Sequence, residues 1–201
     1  MKKVFLVMSK YFAAIRFIPL IILFEAFAKK KGLLIERTQW YDVVFPNRKR
    51  TFDLFIDLLN LPEYRSVVYL RLGGWGKPIR WMAKGQVALY FSQPSKTIMP
   101  GLVIQHGHST RIGATSIGRN CQIWHNVTIG TNKQHCNNRP ILGDNVKVCT
   151  GSIVMGNITI GNNVIIGAGT ILQKSVPDNC VVVGNPARIV KKDGVKVDIK
   201  L

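Results

Sequence analysis

An all-β solenoid with three walls, preceded by an α-helical N-terminal region, is the fold that this 201-residue sequence predicts. Three observations predict it. Aliphatic residues recur at every sixth position as Leu142, Val148, Val154, Ile160, Ile166 and Leu172, and earlier as Ile117, Ile123 and Ile129. Glycine follows many of them at once, as in Ile117-Gly118, Leu142-Gly143, Ile160-Gly161 and Ile166-Gly167. Between them stand "GRN", "GDN" and "GNN", residues that tolerate the unusual backbone of a tight corner. A helix repeats every 3.6 residues and an amphipathic strand every 2, so neither produces a period of six. A unit of one short strand and one corner does, with its aliphatic pointing inward and a small residue behind it. Three units close a turn of about 18 residues, and stacked turns bury a core that no single unit could bury alone.

The period breaks once. "GTNKQHCNNRPIL" carries the chain from Ile129 to Leu142 with one residue more than two units would occupy. The segment is polar and basic and contains His135, so residues 130–141 read as a loop that leaves the wall.

Residues 1–90 follow a different pattern. The N-terminal "MKKVFLVMSKYFAAIRFIPLIILFEAFAKKKGL" holds an uncharged run only from Phe17 to Phe24, far short of the ~20 residues that span a bilayer. Lys10 and Arg16 interrupt any signal-peptide core, and no small-residue cleavage site follows. The segment reads as an apolar helix flanked by cations and restarted near Pro19. It suits either the surface of an anionic membrane or packing against protein. "FPNRKRTF" reads as a cationic linker. Thr51 is a candidate N-cap for a helix with Leu54, Phe55, Leu58 and Leu59 on one face. Pro62 ends that helix, and a second runs through Tyr64 to Leu72 before Gly73-Gly74.

Composition narrows the partners. Hydrophobic residues make up 47% and aromatics 9%, which fits a globular chain. The net charge of +18 points to an anionic partner: a phosphorylated cofactor, a phospholipid surface, an acidic glycan or nucleic acid. Nucleic acid is disfavoured because no zinc-finger spacing, aromatic RNA-binding stretch or recognition helix accompanies the charge. Cys121, Cys136, Cys149 and Cys180 show no CxxC spacing and read as reduced thiols of a cytoplasmic protein.

"LGDNVKVCTGSIVMGNITIGNNVIIGAGTILQKSVPDNCVVVGNPARIV" resembles the C-terminal part of the hexapeptide-repeat acyltransferases, above all in "IGAGT", "VPDN" and "GNPARIV". "GLVIQHGH" followed by "CQIWHNVTIG" is similar to serine acetyltransferases, and more so to colanic-acid-type and capsular-polysaccharide O-acetyltransferases. The resemblance covers about residues 90–192. It implies a left-handed parallel β-helix over 91–192, acetyl-CoA as the acyl donor, no metal, and a homotrimer or a pair of trimers with sites between adjacent coils. Residues 193–201 are then a basic tail. The resemblance further implies direct transfer to a hydroxyl with a histidine as general base, and His106 falls where serine acetyltransferases carry it. An imidazole with an ordinary pKa near 6.5 suits that task. His125 matches a histidine of the polysaccharide-type enzymes and is the second catalytic candidate. His108 reads as structural.

The candidate acceptor-side residues are Gln105, His135 and Arg139. For the donor, Thr150, Ala168 and Pro186 stand 18 apart and should stack as a small flat edge for the pantetheine arm, and matching family positions add Gly151 and Gly169. Arg188, Lys191 and Lys192 follow, either to meet the nucleotide phosphates or as a solvated basic stretch. The chain departs from serine acetyltransferases in three places. The aspartate expected upstream of the base is missing from "YFSQPSK", Gln105 stands where they carry aspartate, and Arg139 where they carry a histidine. The leading expectation is therefore acetyl transfer to a sugar hydroxyl of a polysaccharide or glycan precursor, at the inner membrane face. Serine O-acetylation is the alternative. A non-enzymatic trimeric scaffold, or a zinc protein like the γ-class carbonic anhydrases, is the second alternative; the zinc reading lacks that class's paired histidines.

Overall fold

The computed structural model describes residues 11–12, 14–131 and 138–201. Candidate His135 lies outside the described residues.

Four α-helices are described: α1 (Ile18–Phe27), α2 (Leu33–Val44), α3 (Phe52–Asn60) and α4 (Pro62–Leu72). Pro19 stands in the first turn of α1, which restarts the chain after a 3-10 turn at Ile15–Phe17, because proline fixes a helical φ without needing a donor there. Thr51 caps α3 as its spacing predicts, accepting the Leu54 N–H at 3.3 Å, and Pro62 opens α4. Leu20 and Phe24 of α1 are buried, with the Phe24 ring 5.0 Å from that of Phe55 on α3. Ile15, Ile18 and Ile22 are exposed along the opposite side. No helix among the described residues is long and apolar enough to cross a membrane.

Fifteen strands follow among the described residues. The first seven are β1 (Leu89–Phe91), β2 (Val103–Ile104), β3 (Thr110–Ile112), β4 (Ser116–Ile117), β5 (Gln122–Ile123), β6 (Thr128–Gly130) and β7 (Ile141–Leu142). Then come β8 (Lys147–Val148), β9 (Ile153–Met155), β10 (Thr159–Ile160), β11 (Ile165–Ile166), β12 (Ile171–Leu172), β13 (Cys180–Val183), β14 (Arg188–Lys192) and β15 (Val195–Lys200). From β4 to β12 successive strands visit three sheets in fixed rotation, and every pairing between turns is parallel. The chain therefore coils with three walls. All nine aliphatics of the six-residue period are at most 2% exposed, so the period marks the inward row as expected. Residues two before them, such as Cys121, Val127, Val146, Ile158 and Val164, fill a second inward row. Burial pushes the Cys121 thiol up to about 12, which makes it a core group rather than a nucleophile.

The small residue behind each aliphatic has a steric cause. A Cβ on Gly143 would lie 2.9 Å from the Gly161 carbonyl carbon, and one on Gly161 would lie 2.6 Å from the Asp178 nitrogen. The backbone of the next turn occupies that space.

The register corrects the reading of the period break. Pairs in the regular turns are 18 residues apart, as in Leu142↔Ile160, Val148↔Ile166 and Val154↔Leu172. Across the break the partners are Ile117↔Leu142, Ile123↔Val148 and Ile129↔Val154, each 25 apart. The segment is one unit with a seven-residue excursion inside it, rather than two units with one residue extra. Counting aliphatics cannot tell the two apart, because the polar excursion contributes none.

The helical region closes one end of the coil. Trp40 Nε1–H donates to the Leu102 carbonyl at 2.9 Å. The buried Arg71 pairs with the buried Glu36 at 2.5 Å and donates to the Ser95, Ile98 and Met99 carbonyls just before the coil begins. Burial raises the Glu36 carboxyl to about 7, against the pull of the Arg71 guanidinium. At the other end, residues 193–201 include strand β15, which pairs antiparallel with β14, itself antiparallel to β13.

Candidate active site

The corners of the coil obey a backbone rule. At two of the three corners of a turn, the residue three before the inward aliphatic has positive φ: Gly101, Asn120, Asn126, Asn145, Gly151, Asn163, Gly169 and Asn179, while the corner before Ile117, Leu142 and Ile160 does without it. Glycine and asparagine are the residues that adopt this conformation at least cost. Ser109 fills the same position before Ile112. His106, at φ 60, is a further left-handed residue outside the rule. It exists because the chain advances eight positions from Ile104 to Ile112, where a regular unit advances six. A bulky side chain in this region costs about 1–2 kcal/mol. Strain of this kind, held by the surrounding structure, clusters at functional sites.

Three histidine rings meet at this enlarged corner. The His106 and His125 ring centroids are 5.9 Å apart and edge-on, and the His108 and His125 rings stack at 4.6 Å with 22° between their planes. His106 and His108 are exposed, whereas the Nδ1 atom of His125 is buried with no hydrogen-bond partner among the described residues. Burial holds the His125 ring below the ordinary histidine pKa, and the neighbouring His108 and His106 add to that, so the ring favours the neutral form. Among the described residues no carboxylate forms an ion pair with any of the three, and no three metal-binding side chains converge. A side chain from the helical region does approach. A Cβ on Gly107 would lie 3.2 Å from Glu63 Cγ, so Glu63 of α4 packs against the turn between His106 and His108.

The stacking of His108 on His125 follows from register. Ile112 pairs with Ile129, Ile129 with Val154 and Val154 with Leu172, so residues four before each occupy one corner of successive turns. These are His108, His125, Thr150 and Ala168. Backbone hydrogen bonds link them in a column: Asn126 N–H to His108 O at 3.0 Å, Gly151 N–H to His125 O at 3.2 Å and Gly169 N–H to Thr150 O at 2.9 Å. The residues read from the sequence as a flat donor edge thus continue the line of the histidines. His108, which the sequence alone presents as structural, belongs to this column. Counting back four positions from Ile112 and Ile129 is the signal that finds it.

The remaining candidates separate. Gln105 is half-buried beside His106, its N–H donating to Ile123 O. Arg139 reaches from the end of the excursion to donate to Ser92 O at 3.2 Å, next to β1. Pro186 does not continue the column: β13 pairs with β11 as Val182↔Ile166, a step of 16, so Gly184 arrives at the corner instead. Arg188 pairs with Val183 at the corner end of that wall, where Asp198 holds its guanidinium at 2.5 Å. Lys191 and Lys192 pair with Val181 and Cys180 toward the opposite, Asn179 corner. Of the three cations expected together, only Arg188 lies at the end of this wall next to Gly184, and it has a carboxylate partner.

Residues 139–174 match the family model of bacterial transferase hexapeptide repeats, six in number. Over that segment the chain is similar to the hexapeptide-repeat transferases. It is 37% identical over 151 residues to a serine acetyltransferase of Synechococcus elongatus, covering 70% of this chain and 62% of that protein. It is 42% identical over 121 residues to a serine acetyltransferase of Staphylococcus aureus, covering 57% of each. A solved serine O-acetyltransferase of Brucella melitensis superposes with a TM-score of 0.66 at 25% identity, over 88% of this chain and 75% of that one. The chain thus spans about three-fifths of the length of these curated relatives. The expectation of a polysaccharide or glycan acceptor is corrected by these relatives, which are serine acetyltransferases. It had leaned on three missing side chains, and the loss of a carboxylate from one sequence position leaves open its supply from another element of the fold.

Proposed function

We propose that the chain is a serine O-acetyltransferase that takes its acetyl group from acetyl-CoA. The observation that carries this is the histidine cluster standing in line with the small-residue edge, in a chain 37% identical to a serine acetyltransferase. His106 is the general base. Its neutral imidazole accepts the proton of the serine hydroxyl as the oxygen attacks the thioester carbonyl. Backbone N–H groups at the corner stabilise the oxyanion of the tetrahedral intermediate. Collapse breaks the carbon–sulfur bond, and the imidazolium returns its proton to the departing thiolate, leaving O-acetylserine and CoA. His125, held neutral, lies beside His106, and Gln105 and Arg139 stand on the acceptor side. Glu63 supplies the carboxylate for the serine ammonium, the role left unfilled by Gln105.

The pantetheine arm runs along Thr150, Gly151, Ala168 and Gly169, with Arg188 at its phosphate end. In this reading residues 91–192 form a left-handed β-helix, three copies assemble with their sites between coils, and the helices from Ile18 to Leu72 pack on the end of each. The exposed Ile15, Ile18 and Ile22, followed by Lys29 and Lys30, support peripheral contact with an anionic lipid surface. Thiol release from acetyl-CoA with L-serine as acceptor tests the activity. Serine-dependent release that is lost in His106→Ala supports the reading, and absence of serine-dependent release in the wild type overturns it.

A further inference from the structure

We infer that His108 is a positioning residue, clamping the backbone of His106 and the ring of His125 into one arrangement. The inference rests on the proposed serine acetyl transfer for its kinetic consequence, but the clamp itself is a feature of three side chains and one corner.

Five contacts converge on His108. Its Nδ1 lies 2.6 Å from the His106 carbonyl oxygen. A carbonyl only accepts, so Nδ1 carries the proton and donates, which fixes the tautomer and leaves Nε2 as the lone-pair nitrogen. The His108 backbone N–H donates to that same oxygen, closing a tight turn over Gly107. The His108 carbonyl in turn accepts the Asn126 N–H at 3.0 Å and the Thr110 hydroxyl at 3.1 Å, so the residue is tied to the next turn of the coil. Finally its ring lies flat on that of His125 at 4.6 Å.

These contacts answer a need specific to this corner. His106 sits in a left-handed conformation in a stretch two residues longer than a regular unit of the coil. Among the described residues no carboxylate orients its ring by an ion pair. The donor from His108 holds the His106 peptide, and the stack sets the plane of the His125 ring, which meets His106 edge-on. Gly107 must stay a glycine for this turn to close, because a Cβ there would lie 2.8 Å from Ile104 Cγ2 and 3.2 Å from Glu63 Cγ. A base displaced by about 1 Å loses about 100-fold in rate, so a residue that touches no reacting atom still governs turnover.

Two substitutions separate the two halves of the clamp. His108→Asn keeps a donor for the carbonyl and loses the stack, whereas His108→Phe keeps the stack and loses the donor. We expect His108→Ala to lower kcat about 100-fold with the KM for acetyl-CoA changed less than about threefold. Each of the other two variants should recover part of that loss. Nitrogen-15 NMR of the full-length wild type should show His108 protonated at Nδ1, and the His125 ring resonances should move in His108→Ala and return in His108→Phe. Wild-type kcat in His108→Ala, or a His108 protonated at Nε2 alone, overturns the inference. If the wild type proves inactive toward serine, the proposed reaction fails, and the NMR arm still decides the clamp by itself.

Discussion

The coil contains two kinds of turn. From Leu142 to Leu172 every wall advances by 18 residues, and the corners are filled by Asn or Gly. From Ile98 to Ile129 the steps are uneven, with Ile104↔Ile123 at 19 and Ile112↔Ile129 at 17, and one corner holds three histidine rings. The regular turns repeat one solution to one problem: inward aliphatic, small neighbour, left-handed corner. The uneven turns spend two extra residues on a loop that no packing demand explains. Where a repeat departs from its own rule, the departure is the place to look for chemistry.

That contrast can be broken by mutation, starting with the largest effect. His106→Ala in the uneven turn should lower serine-dependent thiol release by 10²–10⁴-fold, the usual range for a lost general base, while circular dichroism shows an unchanged melting transition. Ile166→Ala in the regular turns should do the reverse. It empties a fully buried position and should cost about 2–5 kcal/mol in denaturant unfolding, with kcat per folded molecule preserved. Equal losses of activity and stability in both variants would erase the distinction. Arg71→Leu tests the join between the helices and the first turn. It strands the buried Glu36 and should cost about 3–5 kcal/mol, and Glu36→Gln in the same chain should recover part of that by removing the stranded charge.

A pH titration sharpens the comparison with a smaller signal. The folded His125 pKa is lowered, so folding favours its neutral ring. The stability this contributes is fully present above the ordinary histidine value of 6.5 and is lost as pH falls through the lowered folded value. Thermal unfolding followed from pH 8 down to pH 5 should therefore show a drop that shrinks in His125→Gln. A drop of the same size in both proteins would remove His125 as its source. The smallest effect concerns neither kind of turn. Ile18→Ser with Ile22→Ser should weaken sedimentation with vesicles containing phosphatidylglycerol while serine acetylation stays at its wild-type rate. Wild-type sedimentation by the double variant would dismiss the lipid contact.

The regular turns were legible in the sequence because a strict period exposes every inward residue at once. The caps and breaks of α3 and α4 were legible for a local reason, since Thr51 and Pro62 act within one helical turn. Three features were not legible, each because it depends on register rather than on residue type. The excursion before Leu142 has the length of two units plus one, so counting placed it wrongly. His108 looked ordinary until Ile112 was set beside Ile129. The separation of Arg188 from Lys191 and Lys192 required knowing that β14 turns back antiparallel, which spreads neighbouring cations along a wall. Glu63 is 43 residues from His106 in sequence and adjacent to its turn only in space, so no sequence pattern brings the two together.

The antiparallel return of β14 and β15 also bears on how the protein avoids fibrous association. A stack of parallel strands is self-templating, because the last turn offers the same row of donors and acceptors that the next turn would satisfy, and an identical molecule could extend it. Here the wall that ends in β13 is covered by a strand of opposite direction and then by a second. The outermost strand carries Lys196, Asp198 and Lys200, all exposed. Charges of that density on a reversed strand make docking of another coil end-on unfavourable. The hairpin thus acts as a stopper that keeps a repeating core finite.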